Sequence, residues 1–453
     1  MKKEILIACS NYYPHSFAGT EVYVKNYADF LEKNGETVYV ITSTPNDFIT
    51  NENIIYEDGV LKVCRYFHLN TMIFGVSYVN EVTTDFIYSK YKKEYTSSWT
   101  NFVRQQLEFS SLNILHIHSI TATIGFNLFD SIIAQNTEIK TITSYHTPIS
   151  CPKNTLSYED QIKDCSLIPD VKVCSRCILK TQDILPYFLA APLNSLHLKY
   201  NKLPSVLKTN YLVKLEIDTF KRLKKITQEW WCYSHGIEKI LTINGVERNK
   251  IKMIRHGIDG LFLSQKIKKP TDITIYLFTG RLAKIKGVIT LLETWLQLPE
   301  QEQRILWITS KPDSKNNEIS NLIKRTKIRK DIVFLGEKTQ YEIAKLYALA
   351  HVVIIPSEWY EIGPLVFHEA ISCGCSVIAS NIGGNRELSD YYSGYSQTFE
   401  AGNTNELAAI IQKGIRKKAP VNQPLSFNQH FEYIISKSMI YKTIPTQKLH
   451  NNL

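Results

Sequence analysis

Long hydrophobic runs and low-complexity segments are what this sequence most clearly lacks. None of its apolar stretches reaches the roughly 18 residues that a membrane-spanning helix needs. The apolar run near the start is also too short for a secretion signal, so we expect a cytoplasmic protein. Apolar residues at 44% and charged residues at 21% are ordinary for a globular chain, and 453 residues suit two domains of about 200 residues each.

Acidic residues are in the minority, with 43 against 53 basic residues and a net charge of +10. This balance favours an anionic partner, such as a phosphate compound, membrane lipid or nucleic acid, without selecting among them. Five of the nine cysteines are scattered, and in a reducing compartment they are expected to be small buried side chains: Cys9, Cys64, Cys232, Cys373 and Cys375.

Strand and helix patterns alternate in two separate blocks. In residues 1–263, strand patterns occur at 4–8, 37–42, 113–118, 140–145, 230–233 and 251–255. After a Lys-rich stretch at 264–272, they restart at 273–279, 304–309, 331–335, 351–357 and 376–380. Such alternation predicts an α/β protein with two Rossmann-like, doubly wound parallel sheets. We expect an N-terminal domain at 1–263, a C-terminal domain at 264–424 and a separate segment at 425–453.

Two carboxylates lie eight residues apart across a turn between a buried strand and a helix. Glu361 would follow the strand at its carboxyl end, where open α/β sheets bind ligands. Glu369 would lie about a turn and a half into the helix, whose first turn accommodates Pro364. Two solvated helix charges would give the same spacing, but the strand, Gly-Pro turn and helix around them favour a ligand site.

Two cations follow the first strand of the second block. Arg281 comes directly after Gly280, and Lys286 lies five residues further on. Arg can hold phosphate oxygens through two N–H groups while Lys acts as a compact charge, so the loop suits a diphosphate. Each contact between a cation and a phosphate charge about 4 Å apart contributes up to roughly 4 kcal/mol at an effective dielectric constant near 20, before the cost of desolvation is subtracted. A surface turn with two solvated cations is the alternative.

Gly19 and the histidines at strand ends are candidates in the first block. Gly19 precedes a helix, so backbone amides there could approach an anion, although a plain helix entry would look the same. His116 and His118 alternate on one strand, and His146 follows the end of the next. These histidines could line one cleft, but lone histidines are more often structural.

Together these motifs resemble those of the retaining glycosyltransferases of family four, which have the GT-B fold. The resemblance rests on E-x7-E from Glu361, on G-R-x4-K-G from Gly280, on G-G-x-x-E at 383–387 and on the Gly19 loop, where Ala18 replaces a second family glycine. It implies that the donor is a nucleotide diphosphate sugar, held by these positions: Gly19, Gly280, Gly363, Pro364, Leu365 and Glu369.

The resemblance also implies roles in the chemistry. Glu361 would contact the donor sugar, Glu369 the ribose, and Arg281 and Lys286 the leaving diphosphate. His146 would lie next to the donor sugar. His118 would lie near the acceptor, and the last helix would cross back to the N-terminal domain.

The implied reaction is transfer of the sugar to a hydroxyl of a glycan or lipid-linked acceptor with retention of configuration, in cell-surface polysaccharide or glycolipid synthesis. The leaving phosphate would take the acceptor proton, so neither Glu is expected to be a nucleophile. With two cations on the diphosphate, no catalytic divalent metal is expected.

Four cysteines form a cluster at residues 151–177: Cys151, Cys165, Cys174 and Cys177. The terminal C-x2-C is typical of half a zinc site, and four thiolates complete a tetrahedron, so we predict a structural zinc ion. An iron–sulfur centre, a disulfide pair or cysteines without a ligand are the alternatives, of which the cytoplasm disfavours disulfides. A subset of the family resembles this segment. Because the segment follows His146 closely, we expect it to form a lid over the acceptor cleft.

A basic helix is predicted between the cysteines and the second block. Apolar residues recur at helical spacing at 212, 215, 220, 223, 226 and 230, among lysines and an arginine. It could contact anionic lipid at the inner face of the membrane, or pack on its own domain with a solvated basic face.

Two other classes of protein are alternatives. Another GT-B enzyme, such as a nucleotide-sugar epimerase, would not predict the spacing of Arg281 and Lys286 together with E-x7-E. A nonenzymatic zinc-containing protein that binds nucleic acid or glycan would leave the paired carboxylates unexplained. Because acidic groups repel phosphate backbones, we expect no nucleic acid partner.

Overall fold

The structure is a computed structural model. It describes residues 2–16, 19–57, 61–78, 103–120, 124, 126–156, 165–179, 205–265, 267–311, 316–414 and 422–443. The chain divides into two compact units, the first made of Met1–Cys232, Ile237–Ile254 and Phe431–Leu453, and the second of Tyr233–Gly236 and Arg255–His430. The predicted limits at 263 and 424 stay predictions, and residues 444–453 of the last segment lie outside the described part.

The helices of the described chain are α1 (Gly19–Lys33), α2 (Phe126–Gln135), α3 (Val171–Leu179), α4 (Ser205–Ile226), α5 (His235–Ile243), α6 (Gly260–Leu263), α7 (Val288–Gln297), α8 (Asn317–Thr326), α9 (Gln340–Leu349), α10 (Leu365–Ser372), α11 (Gly384–Tyr391), α12 (Thr404–Lys413), α13 (Phe427–Lys437) and α14 (Met439–Thr443).

The first unit is built on a nine-stranded sheet with the order β3-β4-β5-β2-β1-β6-β7-β8-β9. Its strands are β1 (Glu4–Cys9), β2 (Thr37–Ser43), β3 (Ile54–Glu57), β4 (Leu61–His68), β5 (Thr71–Tyr78), β6 (Ile114–Ile117), β7 (Lys140–Ser144), β8 (Glu229–Cys232) and β9 (Ile251–Met253). The central strands are almost wholly buried, as parallel strands covered on both faces should be.

An antiparallel extension at one edge of this sheet was absent from the sequence prediction. β4 and β5 pair antiparallel through the tight turn between His68 and Thr71, and β3 pairs antiparallel with β4. β5 also pairs in parallel with β2, which joins the extension to the rest of the sheet. The remaining pairings in the sheet are parallel, as predicted.

The C-terminal helix α14 is anchored within the first unit. The Tyr441 hydroxyl lies 2.6 Å from that of Tyr27 on α1. The Met439 N–H donates to a carboxylate oxygen of Glu229 at 2.9 Å, and the other oxygen accepts from the Trp231 indole at 2.7 Å. A buried carboxylate thereby satisfies one of the backbone donors left open at the start of α14.

The second unit is built on a six-stranded parallel sheet with the order β12-β11-β10-β13-β14-β15. Its strands are β10 (Thr274–Phe278), β11 (Arg304–Ile308), β12 (Ile332–Phe334), β13 (Val352–Ile355), β14 (Ser376–Ser380) and β15 (Ser396–Phe399). Two apolar cores pack against it, one centred on Trp295 and the other on Tyr347 and Phe367. The predicted doubly wound sheet is confirmed, with β15 as an unpredicted sixth strand.

The turn into α10 differs in detail from the prediction. Gly363 precedes Pro364, and Pro364 is the N-cap with φ −68° and ψ 117°, so it lies just before the helix instead of in its first turn. Leu365 is the first helical residue. Proline fits this position because it has no N–H to leave unsatisfied.

Candidate active site

Lys286 and Glu361 form a half-buried ion pair in the second unit. The Lys286 ammonium nitrogen lies 2.7 Å from Oε1 of Glu361, and the two side chains are 25% and 9% exposed. The Ser357 hydroxyl donates to the same oxygen at 2.6 Å. The ammonium group also lies 4.9 Å from the centre of the Trp359 ring, within cation–π range. A cation, a carboxylate and a hydroxyl therefore meet at one point.

Sheet topology explains why these residues meet. Lys286 follows β10 and Glu361 follows β13, and the two strands are parallel neighbours. Strand order reverses between them, and open α/β sheets bind ligands outside the carboxyl ends of strands at such a point. Gly287 permits the close packing: its φ is 68°, and an added Cβ would lie 1.7 Å from the Pro356 carbonyl oxygen.

Gly280 and Arg281 lie in the same loop, ahead of Lys286. The Gly280 carbonyl accepts a hydrogen bond from the Ser310 hydroxyl. The Arg281 side chain is exposed. The structure therefore brings one of the two predicted cations to Glu361 and leaves the other in contact with solvent.

Glu369 occupies a different environment from Glu361. It lies on α10 and hydrogen-bonds the hydroxyl of Tyr347, which itself lies 2.8 Å from the Thr279 hydroxyl after β10. Burial raises the pKa of Glu369 to about 7, opposed by the Tyr347 hydrogen bond and reinforced by the charge of Asp259. Of the two carboxylates, Glu361 is thus ion-paired, whereas the pKa of Glu369 lies near neutral pH.

The 383–387 loop packs on the backbone of Glu361. The Gly384 N–H donates to the Glu361 carbonyl at 2.6 Å. Gly383 has φ 55°, and a Cβ added there would lie 2.7 Å from the same carbonyl oxygen. At the end of the loop, the Glu387 carboxylate accepts from the backbone N–H groups of His235 and Gly236 at 2.7 and 2.6 Å. The predicted turn therefore fixes the backbone beside the ion pair.

Three residues of this region had no predicted role: Ser357, Trp359 and Tyr347. Only Ser357 carried a usable signal, because it follows a buried strand four residues before Glu361. The Tyr347 contact joins separate helices and could not be read from local spacing.

In the first unit, the structure brings the strand-end histidines together. Nδ1 of His118 lies 2.9 Å from Nε2 of His146, and the His116 and His118 rings lie 4.0 Å apart. His116 also contacts the hydroxyls of Ser144 and Tyr27, at 2.9 and 3.2 Å. Burial holds the pKa values of His116 and His118 well below the ordinary value, so both rings are neutral. His116 has the contacts of a structural residue, while His118 is paired with His146.

Gly19 is the exposed first residue of α1. Phe17 and Ala18, the preceding part of the predicted anion loop, lie outside the described residues. Two positions further on, Glu21 is buried.

The four clustered cysteines are neighbours, and no disulfide joins them in the described part of the chain. Burial raises the pKa of Cys174 to about 11, and the charges of Cys151, Cys165 and Cys177 contribute to that rise. In the part of the chain that the structure describes, no three His, Cys, Asp or Glu side chains are arranged to hold a metal ion. The disulfide alternative is therefore not realised here, and the zinc ion stays a prediction.

Helix α4 packs on α3 and turns a basic face to solvent. Its buried apolar residues include Val213, Ile217, Phe220 and Leu223. The predicted apolar positions Leu212, Leu215 and Ile226 are only half-buried, so the buried stripe is rotated from the predicted one. Among the described helices, none is both long and apolar enough to cross a membrane.

Residues 261–426 match a family model described as Glycosyl transferases group 1. This segment holds Lys286, Glu361 and Glu369. The chain is 29% identical over 163 residues to an uncharacterized glycosyltransferase of Methanocaldococcus jannaschii, covering 33% of this chain and 41% of that protein. It is 30% identical over 141 residues to the lipopolysaccharide 1,2-N-acetylglucosaminetransferase of Salmonella typhimurium, covering 29% of this chain and 37% of that protein. The chain thus spans less than half the length of these relatives.

Solved structures resemble the chain over nearly its full length. Sucrose-phosphate synthase from Thermosynechococcus elongatus has a TM-score of 0.58 at 16% identity, covering 91% of this chain and 89% of that one. Anabaena HepE in complex with UDP and glucose has a TM-score of 0.55 at 15% identity, covering 98% of both. The chain has the GT-B fold. At these identities, the likeness extends to the fold alone.

Proposed function

We propose that this protein is a retaining glycosyltransferase that moves a sugar from a nucleotide diphosphate sugar to an acceptor hydroxyl. The observation that carries the proposal is the cluster of Lys286, Glu361 and Ser357 at the switch point of the second sheet, inside the segment that matches group 1 glycosyltransferases. HepE, which shares the fold, has been solved with UDP and glucose and with UDP-glucose.

In the proposed reaction, the bond between the anomeric carbon and the diphosphate oxygen breaks. A bond from that carbon to the acceptor oxygen forms on the same face. The acceptor proton moves to the leaving phosphate oxygen, so no protein base is required. Lys286 turns from Glu361 to the diphosphate and, with Arg281, stabilises its growing charge. Glu361 receives a hydroxyl of the sugar, Glu369 binds the ribose, and His146 positions the sugar.

Several finer features belong to the same proposal. Gly19 and Gly280 bring backbone to the donor phosphates, and Gly363, Pro364 and Leu365 shape the donor site. The acceptor is a glycan or a lipid-linked glycan, used in cell-surface polysaccharide or glycolipid synthesis. The protein acts in the cytoplasm, and the basic face of α4 contacts the inner face of the membrane. The four cysteines hold a structural zinc ion.

A screen of nucleotide sugars for thermal stabilisation tests the donor assignment, because a ligand that binds the folded state raises the unfolding temperature. We expect one of UDP-glucose, UDP-N-acetylglucosamine, GDP-mannose or ADP-glucose to stabilise the protein. Lys286→Ala and Glu361→Ala should each lower transfer from that donor by about 100-fold or more, since removing one preorganised charge contact typically costs that much.

Lys250→Ala is the matched control. Lys250 forms an ion pair of similar length, 2.6 Å against 2.7 Å, with Glu247 on the exposed surface of the first unit. Its removal should leave transfer unchanged. Full activity in folded Lys286→Ala or Glu361→Ala protein would refute the site.

A further inference from the structure

Ser357, which donates to the Glu361 carboxylate, is itself held by a buried hydrogen-bond network. The Ser357 carbonyl accepts from the Ser380 hydroxyl at 2.6 Å, and that hydroxyl accepts from the Asn385 side-chain amide at 3.1 Å. All three residues are buried, Ser357 with 2% of its surface exposed and the other two with none. Because buried polar groups are costly to leave without partners, such a network fixes the positions of its members.

Neighbouring elements of the second sheet supply this network. β13 and β14 pair in parallel, and Ser357 follows the first of them while Ser380 ends the second. Asn385 lies in the first turn of α11, and the residue before it, Gly384, donates its N–H to the Glu361 carbonyl at 2.6 Å. The start of α11 therefore anchors both the backbone of Glu361 and the serine that binds its side chain.

The two carboxylate oxygens of Glu361 have different surroundings. Oε1 lies 2.7 Å from the Lys286 ammonium nitrogen and accepts the Ser357 hydrogen bond at 2.6 Å. Oε2 accepts no hydrogen bond from the described residues, and it is not a buried atom. A carboxylate can accept about four hydrogen bonds, so Oε2 retains its capacity for a ligand. One oxygen is thus bound by the protein, while the other is accessible.

We propose that Ser357 is a positioning residue that holds Oε1 of Glu361, so that Oε2 is directed to a hydroxyl of the donor sugar. A hydrogen bond from a hydroxyl to a carboxylate is stronger than one between neutral groups, which suits it to fix the carboxylate. Because Ser357 is buried, its effect on a ligand has to pass through Glu361. The inference rests on the proposed glycosyltransferase function and specifies how the sugar of the donor is held.

The test compares wild type with Ser357→Ala in the full-length protein by isothermal titration calorimetry. One ligand is the nucleotide sugar selected by thermal stabilisation, and the other is its nucleoside diphosphate, which is UDP, GDP or ADP. Only the first carries the sugar that Oε2 would bind. The preference for the nucleotide sugar over the nucleoside diphosphate should fall about 10-fold in Ser357→Ala, because a hydrogen bond to a charged group is lost.

Two further variants separate a positioning role from a structural one. If Ser357 acts through Glu361, adding Ser357→Ala to Glu361→Ala should change this preference by less than about 2-fold. Ser357→Cys keeps a side chain of similar size with a weak donor, so it should give a preference between those of wild type and Ser357→Ala. It also provides the measurement if Ser357→Ala does not fold.

Ser111→Ala is the matched control. The Ser111 hydroxyl donates to Oε2 of Glu4 at 2.5 Å within the first unit, so this variant removes the same type of bond between a serine and a glutamate. Glu4 begins β1, at the amino end of the strand, whereas open α/β sheets bind ligands at the carboxyl ends. The preference for the nucleotide sugar should stay unchanged in Ser111→Ala.

The outcomes separate the two proposals. If wild type binds none of the nucleotide sugars, the glycosyltransferase function fails and this inference with it. If wild type binds a donor but Ser357→Ala keeps the same preference, or loses affinity equally for both ligands, the inference alone is overturned. A Ser357→Ala effect that persists in the Glu361→Ala background would also overturn it.

Discussion

Lys286 and Glu361 neutralise each other's charge in a 2.7 Å ion pair. Their contact could be anticipated in part from sequence, because both residues follow strands whose carboxyl ends share one edge of a parallel sheet. The contact of Ser357 with Glu361 could be anticipated by the same argument, because Ser357 also follows a buried strand. Tyr347 was not, because its contact with Glu369 joins α9 to α10 and depends on how two helices pack.

Glu369 gives a prediction at the residue scale. Its folded pKa of about 7 lies above the ordinary 4.5, so folding favours the protonated form. This stabilisation is complete below pH 4.5 and is lost as pH rises through 7, a change of about 3 kcal/mol. Glu369→Gln should therefore unfold at a higher urea concentration than wild type at pH 8, but not at pH 4.5. Parallel pH dependences for the two proteins would contradict the assignment.

At the scale of elements, the strongest periodic strands were predicted and the edge hairpin was not. β4 and β5 are separated by only Leu69 and Asn70, and Leu69 has φ 52°. Two-residue turns of this kind usually contain Asn-Gly or Asp-Gly, so the sequence carried no turn signal there. The buried stripe of α4 was predicted only in part, with Phe220 and Leu223 buried as expected, since the other residues that become buried are decided by where α3 packs.

The cysteine segment ending in α3 gives a prediction at this scale. Purified protein should contain about one zinc ion per chain by elemental mass spectrometry, because four neighbouring thiols match the ligand set of a structural site. Zinc binds thiolates, whereas burial holds the pKa of Cys174 near 11, so metal uptake should release protons and strengthen with pH.

Cys177→Ser should lower the zinc content, while Cys64→Ser, a buried cysteine on β4, should not change it. Protein with no stoichiometric zinc or iron would leave the four thiols as packing residues.

For the whole molecule, the alternation of strands and helices was enough to predict two doubly wound sheets. The places where the chain passes between units were harder to predict, because they fall directly after β8 and β9 and within α5 and α13. The Lys-rich stretch at 264–272 belongs to the second unit by contacts, and Lys269 donates to the Ala350 carbonyl there. Composition identifies a polar segment, but it does not reveal whether the side chains of that segment form hydrogen bonds with the rest of the domain.

The C-terminal anchor gives the prediction for the whole chain. Tyr441 is buried, and its hydroxyl contacts Tyr27 on a helix more than 400 residues away in sequence. Tyr441→Ala should destabilise the protein by about 3–5 kcal/mol, as large aromatic truncations in cores do. Urea unfolding provides the measurement. Tyr433→Ala, on the 49% exposed Tyr433, should change stability by less than about 0.5 kcal/mol. Equal effects of the two variants would argue against the anchor.

The mutual pairing of Lys286 and Glu361 has a consequence for discrimination between ligands. An isolated phosphate group could attract Lys286 only by leaving a nearly buried carboxylate without its cation. Under the proposed function, a sugar nucleotide would compensate both partners at once, with phosphate oxygens for the lysine and sugar hydroxyls for the glutamate. Under the proposed function, the spent nucleotide has lost its sugar, so re-formation of the ion pair competes with it and favours product release.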